Sequence, residues 1–381
     1  MVCPPYDVIS DDDRRELEAR HEANCVRLEV PQPADGLDRY RAAGRLLEGW
    51  RAPGGPLVAD DAPSFYIYRM GFRDDAGRPR QTTGVLGALA LEPPGQGILP
   101  HERTTPKDKQ DRLDLLRATR TNLSPIWGLS MAVGLSAVAE PVGPPDARAT
   151  DPTTGVHHRL WRVTQPGVVA AVRDTVASAP VVVADGHHRL EVALAYQAER
   201  RQAGEGPGPA DQVMAFVVEL SEDELSVGPI HRLISDLPEG WRPEDGIGES
   251  FDVEPTAPAD ETIAERQRQA GALALVHPRG TWLLRPRPAL LAAAGDDLDS
   301  SRLDAALAAL PGVRVRYQHG WRHILAEVAG GRAEAGVLLR PATVAQIAAT
   351  AADRRRMPPK TTFFTPKPAT GLVFRSFADQ V

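Results

Sequence analysis

The sequence predicts a mixed α/β fold with more than one sheet, on three observations. Segments that alternate like strands, or that carry β-branched runs, are interleaved with segments of helical polarity along the whole chain. Clusters of proline and glycine separate many of these segments and are typical of loops. The 381 residues are 42% hydrophobic and 25% charged, which is the composition of a globular protein that buries a sizeable core.

Residues 1–140 are predicted to form an N-terminal α/β region. Helical polarity, strand-like alternation and turn residues define its elements. In chain order these are a helix over 11–21 anchored by Leu17, a half-buried strand over 25–30, a helix over 37–51, a hairpin of strands 64–70 and 83–91, a strand-like run over 97–100, and a charged helix over 109–120 with Leu113 and Leu116 inward.

Residues 141–237 are predicted as a second region and 238–381 as a C-terminal α/β lobe. The second region contains a proline-rich loop over 141–152, a strand over 157–163, a strand ending at Asp185 with a helix after it, a loop over 202–209 and a strand over 212–220. The lobe contains a connector over 238–260, strands over 273–276 and 282–284, a helix over 300–310, a strand over 336–339 and an Ala-rich helix over 344–352.

The run from Val181 to Leu190 is the most informative part of the chain. A β-branched strand stops at Asp185 and Gly186, and a helix starts with His187, His188 and Arg189. Free backbone N–H groups and the positive end of the helix dipole make such a turn a natural anion site, and Gly186 lets the guest approach closely. The alternative is an ordinary strand-to-helix turn whose polar residues only cap the helix. The related His-His-Arg-Leu run at His157 lacks the Asp-Gly turn, so we expect it on a sheet face and not in a duplicated site.

Three further blocks and a shorter one are dense in polar side chains. They are the PPYDVI block with Tyr6 and Asp7, the HERT block of 101–104 followed by Lys107, Asp111, Arg112 and Asn122, the MPPKTTFFTPK block of 357–367, and the run Pro229-Ile230-His231-Arg232. Together with the ADGHHR run, and in their order along the chain, they resemble the family catalogued as domain of unknown function 1015 over nearly the whole chain. Family members usually carry a short segment ahead of PPYDVI, so we expect a truncated start or a missing first strand.

The DGHHR turn also resembles the ParB and sulfiredoxin superfamily, whose members place a GxxR-type turn against nucleotide phosphates. This implies a ParB/sulfiredoxin-like nucleotide-binding core in region 141–237, with Arg189 as the phosphate arginine. The free serine kinases of that superfamily carry a similar turn. The resemblance implies phosphoryl transfer from a nucleotide to a small hydroxyl compound, with free L-serine as the best guess. The alternatives are a nucleotide-binding regulatory protein and a nucleotide hydrolase.

Phosphoryl transfer requires a base for the acceptor hydroxyl and positive groups around the phosphates. Glu102 is the first choice for the base, the alternative being an ion pair with Arg103, Lys107 or Arg112. Asp185 and His187 are the other catalytic candidates, and Asp185 is also the candidate ligand for Mg²⁺, although Asp before Gly is common in tight turns. The remaining candidates fall into a phosphate-binding group and a group with substrate or structural roles. The first contains Gly186, His188, Arg189, Arg103, Lys360, His231 and Arg232, and the second contains Tyr6, Asp7, Asn122, Lys107 and Arg112.

We therefore expect ADP or ATP as the donor, with CTP as a further candidate, together with Mg²⁺ and a small-molecule substrate. For Asp7, Lys360 and His231-Arg232 the structural alternatives are a helix cap, a solvated loop charge and a surface turn, respectively.

Several other functional classes are disfavoured by the sequence. The net charge of −7 argues against a broad nucleic-acid surface. No stretch has the roughly 20 apolar residues of a membrane span and no signal peptide is evident, so a cytoplasmic location is expected. Cys3 and Cys25 lack metal-site spacing, and neighbouring histidines diverge too far to chelate one zinc ion. The Walker, GxGxxG and protein-kinase motifs are absent from the sequence.

Overall fold

A computed structural model describes residues 2–74, 77–93, 95–102, 109–310 and 312–377, apart from the side chain of Asp245. Arg103 and Lys107 lie outside the described residues. The chain divides into two compact units, Met1–Ser226 with Pro366–Val381, and Val227–Thr365. The three regions proposed above stay a prediction.

The helices and strands alternate as the sequence predicts, which confirms the mixed α/β class. The helices are α1 (Asp11–Arg20), α2 (Val26–Glu29), α3 (Arg39–Arg51), α4 (Gln110–Thr119), α5 (Leu135–Val138), α6 (Pro166–Ala177), α7 (His187–Gln202), α8 (Pro243–Gly246), α9 (Ile263–Ala270), α10 (Pro288–Ala294), α11 (Asp299–Leu307), α12 (Trp321–Ala329) and α13 (Val344–Ala352). Short 3₁₀ turns cover Tyr6–Val8 and Pro209–Asp211.

The strands are β1 (Phe65–Arg73), β2 (Pro79–Ala90), β3 (Ile98–Pro100), β4 (Thr121–Asn122), β5 (Ile126–Ser130), β6 (Ala147–Thr150), β7 (His157–Val163), β8 (Val181–Asp185), β9 (Gln212–Glu219), β10 (Val227–Ser235), β11 (Phe251–Thr256), β12 (Leu273–His277), β13 (Gly280–Pro286), β14 (Arg314–His319), β15 (Ala335–Leu338), β16 (Thr362–Phe364) and β17 (Arg375–Ser376).

The first unit is built on a mixed sheet. Its described strands run in the order β3-β8-β5-β9-β2-β1-β7-β6. The pairs β3/β8 and β5/β9 are parallel and the other pairs are antiparallel. Strand β8 begins with the continuous apolar run Val-Val-Val-Ala, which is typical of a strand covered on both faces, and all four of these residues are buried. A separate short pair joins β4 to β17 near the C-terminus.

The second unit is built on an antiparallel sheet. Its described strands run in the order β11-β13-β12-β15-β10-β14, and β16 also pairs with β10. Apolar residues on the two faces of this sheet form two clusters, one around Phe251 and Leu303 and one around Leu233 and Ile324. The amphipathic helices α9, α11 and α12 cover these faces.

Several sequence predictions are wrong in detail. The predicted strand over 25–30 is instead the helical turn α2 (Val26–Glu29), because consecutive residues Cys25 and Val26 are both buried and the Asn24 carboxamide accepts from the Val26 N–H. The predicted loop over 141–152 contains edge strand β6, whose backbone pairs with β7. The connector over 238–260 contains α8 and β11. Ser10, and not Asp7, caps α1 through a capping box with Asp13.

The His157 run lies on a sheet face, as the sequence predicts. It forms β7, in which His158 is buried and His157 and Arg159 are exposed. The Tyr68 hydroxyl and the His158 Nδ1 are 2.8 Å apart. Burial lowers the pKa of His158 to about 4, so the ring is neutral in the folded protein at pH 7.

Candidate functional site

The turn between β8 and α7 has the geometry that the sequence predicts. Gly186 has a φ of +88°, in the left-handed region that favours glycine, and it is the N-cap of the 16-residue helix α7. Gly186 has no side chain that could cap this helix end. The backbone N–H groups at the start of an α-helix, together with the helix dipole, can bind an anion.

Parallel pairing of β3 with β8 brings His101 and Glu102 of the HERT block to this turn. Pro100 is opposite Val183, so His101 and Glu102 follow β3 at the level where Ala184 and Asp185 end β8. His101 is buried, its Nδ1 contacts the Val183 carbonyl, and its ring centroid lies 5.1 Å from that of His187. Burial lowers the pKa of His101. The Glu102 carboxylate lies 3.8 Å from His101 Nε2. Glu102 and the DGHHR turn therefore meet at one edge of the sheet.

Asp185 lies between two cations. Arg189 Nη2 donates to Asp185 Oδ2 (2.6 Å), and Lys367 Nζ lies 2.9 Å from Asp185 Oδ1. Lys367 also donates to Asp7 Oδ2 (2.9 Å). Burial would raise the pKa of Asp185, but Arg189 and Lys367 outweigh it and the net pKa is lowered. Asp185 is thus an ionised, charge-compensated group, which suits a structural or orienting role better than that of a base.

Arg189 joins the turn to a neighbouring pocket. Its guanidinium folds back over Gly186, contacts the Pro125 carbonyl and lines a cavity of about 60 Å³. Four candidates from the sequence line this cavity: Tyr6, Arg112, Asn122 and Arg189. The other lining residues are Glu29, Leu115, Leu116, Thr119, Thr121, Leu123, Ser124, Val192 and Val213.

Two of these candidates have clear structural partners. The Asn122 Oδ1 accepts from the Met214 N–H (3.0 Å) and from Arg375 (3.1 Å), so it ties β4 to β9 and to the C-terminal segment. Arg112 donates to Asp111 (2.7 Å) and to the Glu29 carbonyl (2.8 Å), and its guanidinium lies 4.4 Å from the centroid of the Tyr6 ring.

His231, Arg232 and Lys360 belong to the second unit. His231 and Arg232 lie inside β10, which corrects the alternative of a surface turn. The His231 Nδ1 accepts from the Leu339 N–H (3.1 Å), and burial lowers the pKa of His231 to about 3. Arg232 is fully buried and donates to the Lys360 carbonyl (3.0 Å). Lys360 has a φ of +59°. Their role in phosphate binding stays a prediction.

Sequence reasoning missed two residues of this site, Glu29 and Lys367. Glu29 was assigned to a strand, and only its position in α2 brings it to the pocket. Lys367 stands in the same block as Lys360 and carried a usable signal, because its flanking residues Pro366 and Pro368 make it part of a constrained segment.

The described residues do not form a ready metal site at Asp185. Among them, no group of three or more His, Cys, Asp or Glu side chains is arranged to hold an ion. Each Asp185 oxygen already faces a cation, so a metal ion there would have to displace Arg189 or Lys367. Within the same described ranges, no helix has the length and apolar character needed to cross a membrane.

Comparisons with known proteins show similarity to several solved structures, which include the following three. A free serine kinase in complex with AMP is 12% identical, with 73% of this chain and 87% of that chain covered and a TM-score of 0.39. A conserved hypothetical protein from Pyrococcus furiosus is 12% identical, with 77% and 96% covered and a TM-score of 0.39. SbnI with a C-terminal truncation, from Staphylococcus aureus, is 13% identical, with 75% and 85% covered and a TM-score of 0.40.

No curated protein matches the chain. A family model does match, over residues 1–306, and it includes the PPYDVI, HERT and ADGHHR blocks. The chain therefore belongs to the family described as Protein of unknown function (DUF1015).

Proposed function

We propose that this protein is a nucleotide-dependent phosphotransferase that acts on a small hydroxyl metabolite, with free L-serine as the first acceptor to test. The observation that supports the proposal is the parallel pairing of β3 with β8, which brings Glu102 level with the end of β8, where the turn into α7 begins. A carboxylate next to a turn that can hold phosphates supplies two groups that phosphoryl transfer uses, a base for the acceptor hydroxyl and positive partial charge at the phosphates. The expected location is the cytoplasm.

In this proposal the start of α7 holds the phosphates. The N–H groups of the first helical turn and the helix dipole supply positive charge without a side chain. The His188 Nε2 is buried and has no hydrogen-bond partner among the described residues, so it is available to a phosphate oxygen. Arg189 is paired with Asp185, and it can reach a phosphate by exchanging one anionic partner for another.

Glu102 is proposed to accept the proton of the acceptor hydroxyl. The acceptor oxygen forms a bond to the terminal phosphorus, and the bond from that phosphorus to the bridging oxygen of the nucleotide breaks. The hydroxyl proton passes to the Glu102 carboxylate. His101 and His187 cover this edge of the sheet and would limit access of water, which competes as an acceptor.

The donor is proposed to be ADP or ATP, with CTP as a third candidate. Mg²⁺ enters the proposal as the counter-ion of the nucleotide phosphates, because Asp185 is already neutralised by Arg189 and Lys367. Mg²⁺ commonly binds proteins through the phosphates of its substrate and few protein ligands.

Calorimetry with ADP, ATP and CTP tests the phosphate site first. Arg189→Ala should weaken binding of the donor nucleotide, by about 1.5–3 kcal/mol for a hydrogen bond to a charged group. Arg159→Ala is a matched control, because Arg159 stands in the same His-His-Arg-Leu context on the exposed side of β7. Equal binding by the wild type and both variants, or no binding of any nucleotide, would refute the proposal.

Glu102→Gln tests the chemistry. It should abolish phosphorylation of L-serine and leave nucleotide binding within about twofold, since the amide keeps the shape of the side chain and loses the base. Phosphate release at the same rate with and without L-serine would instead identify a hydrolase. Tight nucleotide binding with no turnover would identify the regulatory alternative.

A further inference from the structure

The pocket beside Arg189 contains a buried carboxylate that the proposed transfer step does not use. Glu29 is only 2% exposed, and it lines this cavity together with Tyr6 and Ser124. Its Oε1 has no hydrogen-bond partner among the described residues. A buried carboxylate oxygen without a donor is costly, so its retention calls for a cationic or hydrogen-bonding guest.

The cations around Glu29 are largely committed to other groups. The nearest Arg112 nitrogen lies 3.6 Å from Glu29 Oε2, and it donates to the Glu29 backbone carbonyl at 2.8 Å. Arg112 also has Asp111 at 2.6 Å, and Arg189 has Asp185 at the same distance. Burial raises the pKa of Glu29, and Arg112, a hydrogen bond from Ser124 and the charge of Arg189 offset this only in part.

The rest of the lining is rich in oxygen atoms. Tyr6, Thr119, Thr121 and Ser124 contribute hydroxyl groups to it. The Thr119 and Thr121 hydroxyls donate to backbone carbonyls, of Leu115 (2.8 Å) and Thr119 (2.9 Å), which leaves oxygen lone pairs to accept from a guest. A guest with several N–H donors and a positive charge matches this set of acceptors.

The size of the cavity sets the size of the guest. One water needs about 10–15 Å³ of such space. The 60 Å³ available here therefore holds about four to six waters or a compound of a few heavy atoms.

We propose that Glu29, with Tyr6 and Ser124, binds the primary ammonium group of the acceptor, so that the substrate class is small amino alcohols and hydroxy amino acids. The inference rests on the proposed function in one respect, because Arg189 borders both this pocket and the phosphate turn. An ammonium site would make the protein select acceptors that carry an amino group over polyols and hydroxy acids of the same length.

The test uses the full-length protein and two probes that differ only in the amino group, L-serine and 3-hydroxypropionate. Calorimetry at pH 7, with and without saturating ADP, should show L-serine binding at least about tenfold more tightly, as expected for a charge-assisted hydrogen bond. Glu29→Gln should remove this difference. Glu48→Gln, at an exposed position of α3, is the matched control and should keep it.

The outcomes separate the inference from the proposed function. Equal affinity for the two probes in the wild type, retention of the preference in Glu29→Gln, or no binding of L-serine in either condition would overturn the ammonium site. The probe comparison on wild-type protein remains decisive if Glu29→Gln does not fold. Nucleotide binding without a preference for L-serine refutes this inference alone, and a preference for L-serine without any nucleotide binding refutes the kinase alone.

Discussion

Lys367→Met is the substitution that most directly tests the charge arrangement of the site. Lys367 bridges Asp7 and Asp185 with both distances at 2.9 Å, and its side chain is 17% exposed. Methionine keeps the length of the chain and removes the charge. Two carboxylates then face each other without the cation that separates them, so the folded state should lose stability.

The size of the loss follows from these distances. Two unit charges 2.9 Å apart attract by about 6 kcal/mol at an effective dielectric constant of about 20. Desolvation of the ions and the ordering of the lysine side chain cancel most of this attraction. Asp7 and Asp185 keep 30% and 20% exposure, which permits partial rehydration after the substitution. We therefore expect a loss of about 2 kcal/mol in the free energy of unfolding, below the 3–5 kcal/mol of a fully buried pair.

The pH dependence gives a second readout with a definite sign. Folding lowers the pKa of Asp185 below 3.8 and raises that of Lys367 above 10.5. The contribution is fully present between these two unfolded-state values. It is lost as pH falls through the folded pKa of Asp185, and as pH rises through the folded pKa of Lys367.

Urea unfolding of the wild type, Lys367→Met and Lys109→Met at pH 7 measures the effect. Lys109 forms a comparable pair with Glu191 at 2.8 Å, but its side chain is 50% exposed, so its loss should cost less than about 0.5 kcal/mol. In a double-mutant cycle, Asp7→Asn should cost less in the Lys367→Met background than in the wild type. Equal stability of the two lysine variants, or additive effects of the Asp7 and Lys367 substitutions, would refute the reasoning.

Three further predictions follow from single contacts. Gly186→Ala forces alanine into a φ of +88° with its Cβ 3.0 Å from the Arg189 guanidinium, so we expect a loss of about 1–2 kcal/mol in the free energy of unfolding and weaker nucleotide binding. Thermal unfolding and calorimetry measure these two effects, and an unchanged melting temperature would contradict the prediction. Folding lowers the pKa of His158 from 6.5 to about 4, so the unfolded state takes up the proton first and stability should fall by about 3 kcal/mol as pH drops from 6.5 to 4. His158→Gln should flatten this part of the stability profile, and an identical slope in the variant would argue against the assignment. Asn122→Ala leaves the buried Met214 N–H without its hydrogen-bond acceptor, so we expect a loss of about 1–3 kcal/mol in the free energy of unfolding, measured with urea. Wild-type stability together with weaker binding of L-serine would instead support a substrate-binding role for Asn122.

Local pattern was sufficient for most elements of the first unit. The hairpin of β1 and β2, the helices α1, α3 and α4, and the turn from β8 into α7 each have a short-range signal in turn residues, caps or periodicity. Three of the misassigned or missed elements have weak local signals. Four-residue α2 is too short to show a period, edge strand β6 lies in a proline-rich segment, and β5 follows directly on Pro125.

The candidate site also combines features that the local sequence determines with features that depend on the tertiary structure. The sequence by itself determined the residue types and the local shape of the anion turn, because Asp185, Gly186 and the start of α7 interact over one turn of chain. Only the tertiary structure decided which distant groups meet there. The β3/β8 register places Glu102 at the turn, and the return of the C-terminal segment places Lys367 between Asp7 and Asp185. These contacts join positions up to 360 residues apart. Strand order and burial select them, and neither leaves a periodic signal in the neighbouring sequence.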